Sequence, residues 1–142
     1  MVHLVKLIII MNVLLDHPAE ILILLFLIVT FLQSGFDKLA DWNGNLSFIK
    51  THFKNSPLKN SVPLLLGIVL LIEIAASIFM IIGVYQIVTH GTKEMALYGA
   101  ELSALTLILL LIGQRLAKDY AGAMTLAVYF ITAIFGVYLL SL

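Results

Sequence analysis

The sequence predicts an all-α integral membrane protein, an antiparallel bundle of four transmembrane helices. Three observations predict it. Of the 142 residues, 62% are apolar and only 11% are charged, with a mean hydropathy of +1.13. A soluble domain carries a polar shell in which about a quarter of residues are charged, and this chain cannot supply one. The apolar residues fall into four runs near the length of about 20 residues that a helix needs to cross a bilayer. Finally, no stretch alternates polar and apolar residues as a membrane barrel strand does. Backbone groups in lipid must be satisfied within their own segment, which leaves helices. A single domain is the natural reading for this length.

The spans are expected at residues 19–36, 62–88, 95–114 and 120–142. Ahead of the first, Leu4 to Leu15 is apolar apart from Lys6 and Asn12. No small-x-small cleavage site follows it, so a retained segment is expected rather than a signal peptide. One helix from His3 to Phe36 would be about 50 Å long, against a hydrocarbon core of about 30 Å. Pro18 suits the first turn of a new helix capped by Asp16 or His17. Residues 3–15 are therefore read as a short flanking helix.

The connection 37–61 is the one sizeable polar region. Asp41-Trp42-Asn43-Gly44 reads as a turn. Asn45 to Asn55 then reads as an amphipathic interfacial helix, with Leu46, Ile49 and Phe53 on one face and Lys50 and Lys54 on another. Trp42 is expected at headgroup level. Ser56-Pro57 ends this helix and Pro63 starts the second span. The other connections, His90 to Glu94 and Arg115 to Asp119, are short, which makes successive spans antiparallel. Six of the eight basic residues (Lys38, Lys50, Lys54, Lys59, Arg115 and Lys118) lie on the side of connection 37–61, against Lys6 and Lys93 on the other. The positive-inside rule puts that connection in the cytoplasm and both termini outside.

Two carboxylates fall within predicted spans, Glu73 and Glu101. An acidic group at depth costs about 2.5–3.5 kcal/mol on insertion scales, so it is expected to face the bundle interior. Burial disfavours the charged form of a lone carboxyl, which could then donate a hydrogen bond or relay a proton. In the second span Val69, Glu73, Ala76, Met80, Gly83 and Ile87 form a seam of heptad spacing. In the fourth, Gly122, Thr125, Tyr129, Thr132 and Gly136 do the same. Small and hydroxylated residues mark helix contacts in membranes. Tyr129 and Ser77 are candidate partners for the carboxylates, which with Glu73 and Glu101 gives the candidate polar site. The third span repeats Glu94, Glu101, Ile108 and Arg115 every seven residues, with Arg115 read as an interfacial anchor.

Much chemistry is excluded. There is no cysteine, hence no disulfide, thiolate metal site or dithiol chemistry. His3, His17, His52 and His90 all lie near helix ends or in loops, whereas haem in a bundle takes axial ligands from facing helices. No metal site is expected, since ligands come as a spaced set. Walker, GxGxxG and Ser/His/Asp patterns are absent. A net charge of zero gives no reason to expect nucleic acid.

The stretch FLQSGFDKLADWNGNLSFIKTHFKNSPLKNSVPLLL (31–66) resembles the DoxX family of small four-span bacterial membrane proteins. Gly35, Lys38 and Leu39 at the exit of the first span carry the resemblance, with Trp42 and the amphipathic segment in the loop, then Glu73 and Gly83 in the second span. The family takes its name from a small subunit of an archaeal thiosulfate:quinone oxidoreductase. The resemblance implies a subunit or accessory protein of a larger, redox-linked complex in the bacterial inner membrane. Its expected neighbours are the lipid bilayer and other membrane subunits or further copies of the chain. Quinone or lipid are the non-covalent cofactors it implies. Two alternatives stand beside it: a quinone-reactive or proton-handling protein using Glu73 and Glu101, and a small transporter.

Overall fold

The computed structural model describes all 142 residues and contains six helices and no strand. They are α1 (Val2–Asp16), α2 (Pro18–Ala40), α3 (Trp42–His52), α4 (Val62–His90), α5 (Glu94–Leu116) and α6 (Tyr120–Ser141). Helices α2, α4, α5 and α6 are long and apolar enough to cross a membrane. The protein is thus a multi-pass membrane protein built as a four-helix bundle, with α1 and α3 as its two short additions.

Local chemistry sets the helix boundaries. Pro18 and Pro63 sit in the first turns of α2 and α4, where a missing N–H costs nothing and the fixed φ is already helical. Helix α4 stops at Gly91, whose φ of 70° is the left-handed conformation that glycine adopts without strain. Asp41 and Asp119 cap α3 and α6, accepting from Gly44 N at 3.0 Å and Gly122 N at 2.9 Å. The 41–44 turn expected from the sequence is thus the capped first turn of α3, which starts earlier than Asn45 and ends at His52.

On α5, side-chain size rather than polarity separates core from lipid face. The buried positions of α5 are Ala96, Gly99, Ala100, Ser103, Ala104, Thr106 and Leu107. Those of α4 include Glu73, Ala76, Met80, Gly83 and Ile87, the seam read from the sequence. The two helices touch closely. A Cβ at Gly83 would collide with the backbone of Ala96, and one at Gly99 would come within 2.8 Å of Met80 N. Lipid tails compete with any large apolar side chain, so such small residues let backbones approach and gain dispersion contacts instead. Gly136 does the same for α6 against Ile23 of α2. Of the fourth-span stripe, Gly136 is buried, Gly122, Tyr129 and Thr132 are half-buried, and Thr125 faces outward. Thr125 is therefore corrected from a packing residue to a surface one, its hydroxyl donating to Ala121 O within its own helix at 3.2 Å.

Helix α1 has no buried residue, and only Val13 packs against the core. Its large apolar side chains, from Val2 to Leu15, are otherwise exposed. It is the flanking helix expected from the sequence, apolar on every side and joined to the bundle next to α2.

The α4–α5 seam makes a direct prediction. Gly83→Leu should lower the thermal stability of the protein in detergent by about 1–3 kcal/mol, the usual cost of forcing a side chain into a filled contact. Gly67, where a Cβ meets nothing within 4 Å, is the control: Gly67→Ala should be neutral or stabilising by up to about 1 kcal/mol. Equal melting temperatures for the two variants would contradict the packing described.

Candidate functional site

Glu73 lies three turns into α4 and is 2% exposed. It is not alone there. Lys38, in the last turn of α2, places Nζ 2.9 Å from Glu73 Oε2 and 3.2 Å from Oε1. Ser34, one turn before Lys38, accepts from Nζ at 2.6 Å and donates to Glu73 Oε1 at 3.0 Å. The Ser34 carbonyl accepts from the same ammonium at 3.2 Å. The result is a closed triad of Ser34, Lys38 and Glu73 across the α2–α4 contact.

Helix direction explains why the residues meet. Side chains lean toward the N terminus of their own helix. Helices α2 and α4 are antiparallel, so Lys38 leans into the bundle from the end of α2 and Glu73 leans back toward that same end. Gly35 lets the helices sit side by side: a Cβ there would be in ordinary contact with Ile74 and Leu70 at 3.7 and 3.8 Å. The lysine stem spans the remaining gap with its methylenes among apolar neighbours. A lysine ammonium has three protons, and four oxygens of Ser34 and Glu73 compete for them. No buried side-chain nitrogen or oxygen in the protein lacks a partner.

Other polar contacts occupy the two ends of the bundle. At the α1 end, Lys93 reaches Glu20 Oε1 at 3.1 Å, and His17 Nδ1 lies 3.4 Å from the same oxygen. At the α3 end, His52 Nε2 donates to Gln114 Oε1 at 2.8 Å and lies 3.4 Å from Asp119 Oδ2. The latter contacts tie α3 to α5 and to the cap of α6. No group of three or more His, Asp or Glu side chains is placed to hold a metal.

Several expected partners are corrected. Glu101 is exposed on the outer face of α5 and makes no hydrogen bond or ion pair within the chain. The interior of α5 is the small-residue face, and the Glu94–Glu101–Ile108–Arg115 repeat lies on the other side. Nor is Glu101 level with Glu73. The contacts of Gly83 with Ala96 and of Gly99 with Met80 set a register that places Glu73 opposite the Thr106 turn. Ser77 is buried, but its hydroxyl donates to the backbone O of Glu73 at 2.8 Å rather than to the carboxylate. Tyr129 reaches neither carboxylate; its ring packs against Phe26 with centroids 6.1 Å apart. Trp42 is half-buried, while Lys50 on α3 and Lys54 just beyond its end are exposed.

Two hollows flank the triad. One is a groove of about 590 Å³ on the Gly35–Ile74 side, almost wholly apolar and ending at Ser77. The other is a chamber of about 480 Å³ between α3, α4 and α5, with Lys38 in its wall. Ser34, His52 and Gln114 were missed by sequence reasoning. Ser34 carried a usable signal, since it stands one turn before the lone lysine at the exit of its span.

Compared with protein-family models, curated proteins and solved structures, the chain finds no match.

The triad predicts a specific pattern of stabilities. Removing one partner of a buried pair strands the other and costs about 3–5 kcal/mol. Lys38→Met and Glu73→Leu should each destabilise the protein by that order, measured by thermal unfolding in detergent. The double variant should recover to within about 1 kcal/mol of the parent, because an apolar pair of similar volume replaces the charged one. Additive losses in the double variant would mean the two side chains act independently.

Proposed function

We propose that this chain is a small subunit or accessory protein of a larger membrane complex, of the DoxX type, held to a neighbouring membrane protein through the α5 face that carries Glu101. The observation behind this reading is the position of Glu101. It lies two turns inside a spanning helix, faces outward, and has no partner in its own chain. Its neighbours on that face are Tyr98, Leu105 and Ile108, all exposed. An acidic side chain at depth costs about 2.5–3.5 kcal/mol on insertion scales. A neighbouring helix that offers a cation, hydroxyl or amide donor removes that cost, whereas lipid cannot.

The family part of the reading is supported by the resemblance alone, and chiefly by Gly35, Lys38, Trp42, Glu73 and Gly83. Lys38 and Glu73 now share a physical reason to occur together, since each neutralises the other. The bacterial inner membrane and a cytoplasmic α3 belong to the same proposal, the latter from the lysine and arginine count. A quinone- or proton-handling role is the second reading. Glu73 and Glu101 do not share a site, so it would rest on the Lys38–Glu73–Ser34 triad and the chamber beside it.

Co-isolation in mild detergent tests the first reading. The wild type should carry a second membrane protein, and Glu101→Leu should reduce its recovery about tenfold, the equivalent of about 1.4 kcal/mol, while the bundle stays folded. A wild type that isolates alone, or a Glu101→Leu variant that keeps its partner at full yield, would overturn it. If the partner is a second copy of this chain, a homo-oligomer replaces the accessory subunit.

Orientation has a separate test, helped by the absence of cysteine. In whole cells a membrane-impermeant maleimide should label Thr92→Cys directly and Lys54→Cys only after permeabilisation. The opposite order would place α3 outside.

A further inference from the structure

The chamber beneath α3 has the size and the lining of a small-molecule site. Its volume of about 480 Å³ falls within the range of about 300–1,000 Å³ typical of small-molecule sites. Its roof is made by Phe48 and Ile49 of α3 and by Phe53 at the end of that helix. The walls are apolar residues of α4 and α5, of which Ile68, Leu109 and Ile112 are exposed to the surroundings of the bundle. The chamber therefore opens sideways toward the bilayer, and its ceiling is tied down by His52 on Gln114.

Its polar groups define the head that fits. Lys38 lines the wall, but Glu73 and Ser34 already take up its ammonium. It offers no free charge. Gln114 accepts from His52 through Oε1, which leaves its NH₂ without a partner in the chain. Asn45 spends its NH₂ on the carbonyls of Asp37 and Asp41, at 3.1 and 2.8 Å, which leaves its Oδ1 free to accept. One side-chain donor group and one acceptor remain, with no uncompensated charge. Lys50, Lys54, Lys59 and Arg115 adjoin lining residues in sequence, but all four are exposed and line no part of the chamber, and Arg115 lies over the Tyr120 ring at 4.9 Å.

We infer that the chamber binds a neutral amphiphile drawn from the bilayer, with its hydrocarbon chain among α3, α4 and α5 and a head bearing hydroxyl and carbonyl groups between Asn45 and Gln114. The Gln114 NH₂ donates to the carbonyl and a hydroxyl of the head donates to Asn45 Oδ1. An anionic head finds no free cation there. This inference is independent of the docking face on the far half of α5.

Photolabelling of the purified full-length protein tests it, with a monoacylglycerol that carries a diazirine in its acyl chain as the probe and the matching fatty acid, ionised at pH 8 or above, as the anionic comparison. Crosslinks from the monoacylglycerol should map to peptides of α3, α4 and α5 around the chamber and be competed by unlabelled monoacylglycerol. Gly113→Leu fills the site: a Cβ there meets Phe53 at 3.5 and 3.7 Å, which is ordinary contact. That variant should fold and lose chamber labelling about tenfold. Gln114→Glu, which keeps the oxygen that accepts from His52 and removes the NH₂ donor, should weaken competition in the same direction. Labelling spread evenly over the outward face of α6, full labelling of Gly113→Leu, or preference for the fatty acid would each overturn the inference.

Discussion

The ion pair between Lys38 and Glu73 is the contact on which the arrangement of this bundle turns. A carboxylate 2% exposed in the middle of a membrane helix has a very high solvation cost unless a cation and further donors surround it. Here the compensation comes from the end of the preceding span, and it is complete: Ser34 fills the oxygen that the ammonium reaches least closely. Antiparallel α2 and α4 must therefore stand in one register, with Gly35 at the level of Leu70 and Ile74. A slip of one turn would strand both charges. The pair adds little net stability, since an apolar pair of the same volume would serve as well. It adds specificity of register, a use for which buried ionic groups are better suited.

Remaining contacts follow from the solvent. Inside a bilayer, apolar side chains gain nothing by leaving lipid for protein. The α4–α5 contact consequently relies on closeness, with Gly83 against Ala96 and Gly99 against Met80. Hydroxyls at this contact are satisfied locally, Ser103 donating to Gly99 O and Ser77 to Glu73 O, each at 2.8 Å. Buried serines here are small residues first and hydrogen-bonding residues second. Polar ties that do cross between helices sit mainly at the bundle ends, as Lys93–Glu20 and His52–Gln114. There the helices are pinned without a further buried charge at depth.

This solvent also explains what could be read from the sequence. Span number, the proline starts at Pro18 and Pro63, the amphipathic α3 and the Glu73 seam of α4 were all legible, because each rests on length, local backbone chemistry or the spacing of one unusual residue. The facing of Glu101 was not. Core and lipid faces of α5 are both apolar, so hydropathy gives no contrast, and the cost of a buried carboxylate pointed it inward. The small-residue run Ala96, Gly99, Ala100, Ser103, Ala104 was the better guide, and it faces away from Glu101. The Lys38–Glu73 pair was hidden for another reason. Its members are 35 positions apart, and only the relative tilt and register of two spans bring them together. Thr125 failed for another reason: a heptad stripe of small and hydroxylated residues was read as one contact face, whereas the buried positions of α6 are Ala123, Ala133, Gly136 and Leu140.

Helix α5 links the two open features of the protein, yet keeps them apart. Glu101 stands in its half nearer α1, while Gly113 and Gln114 line the chamber under α3. Thirteen residues separate Glu101 from Gln114, about 20 Å along a helix. Sites farther apart than about 7–10 Å with no shared partner act additively. Between them α5 presents its small-residue face to α4, a close contact with little room to shift. A partner on the Glu101 face and an amphiphile under α3 thus meet the same rigid helix at separate points. The triad, by contrast, borders the chamber directly through Lys38. Lys38 is the one charged residue that lines the chamber, so the Lys38–Glu73 pair is the charged contact whose surroundings the chamber's filling would change.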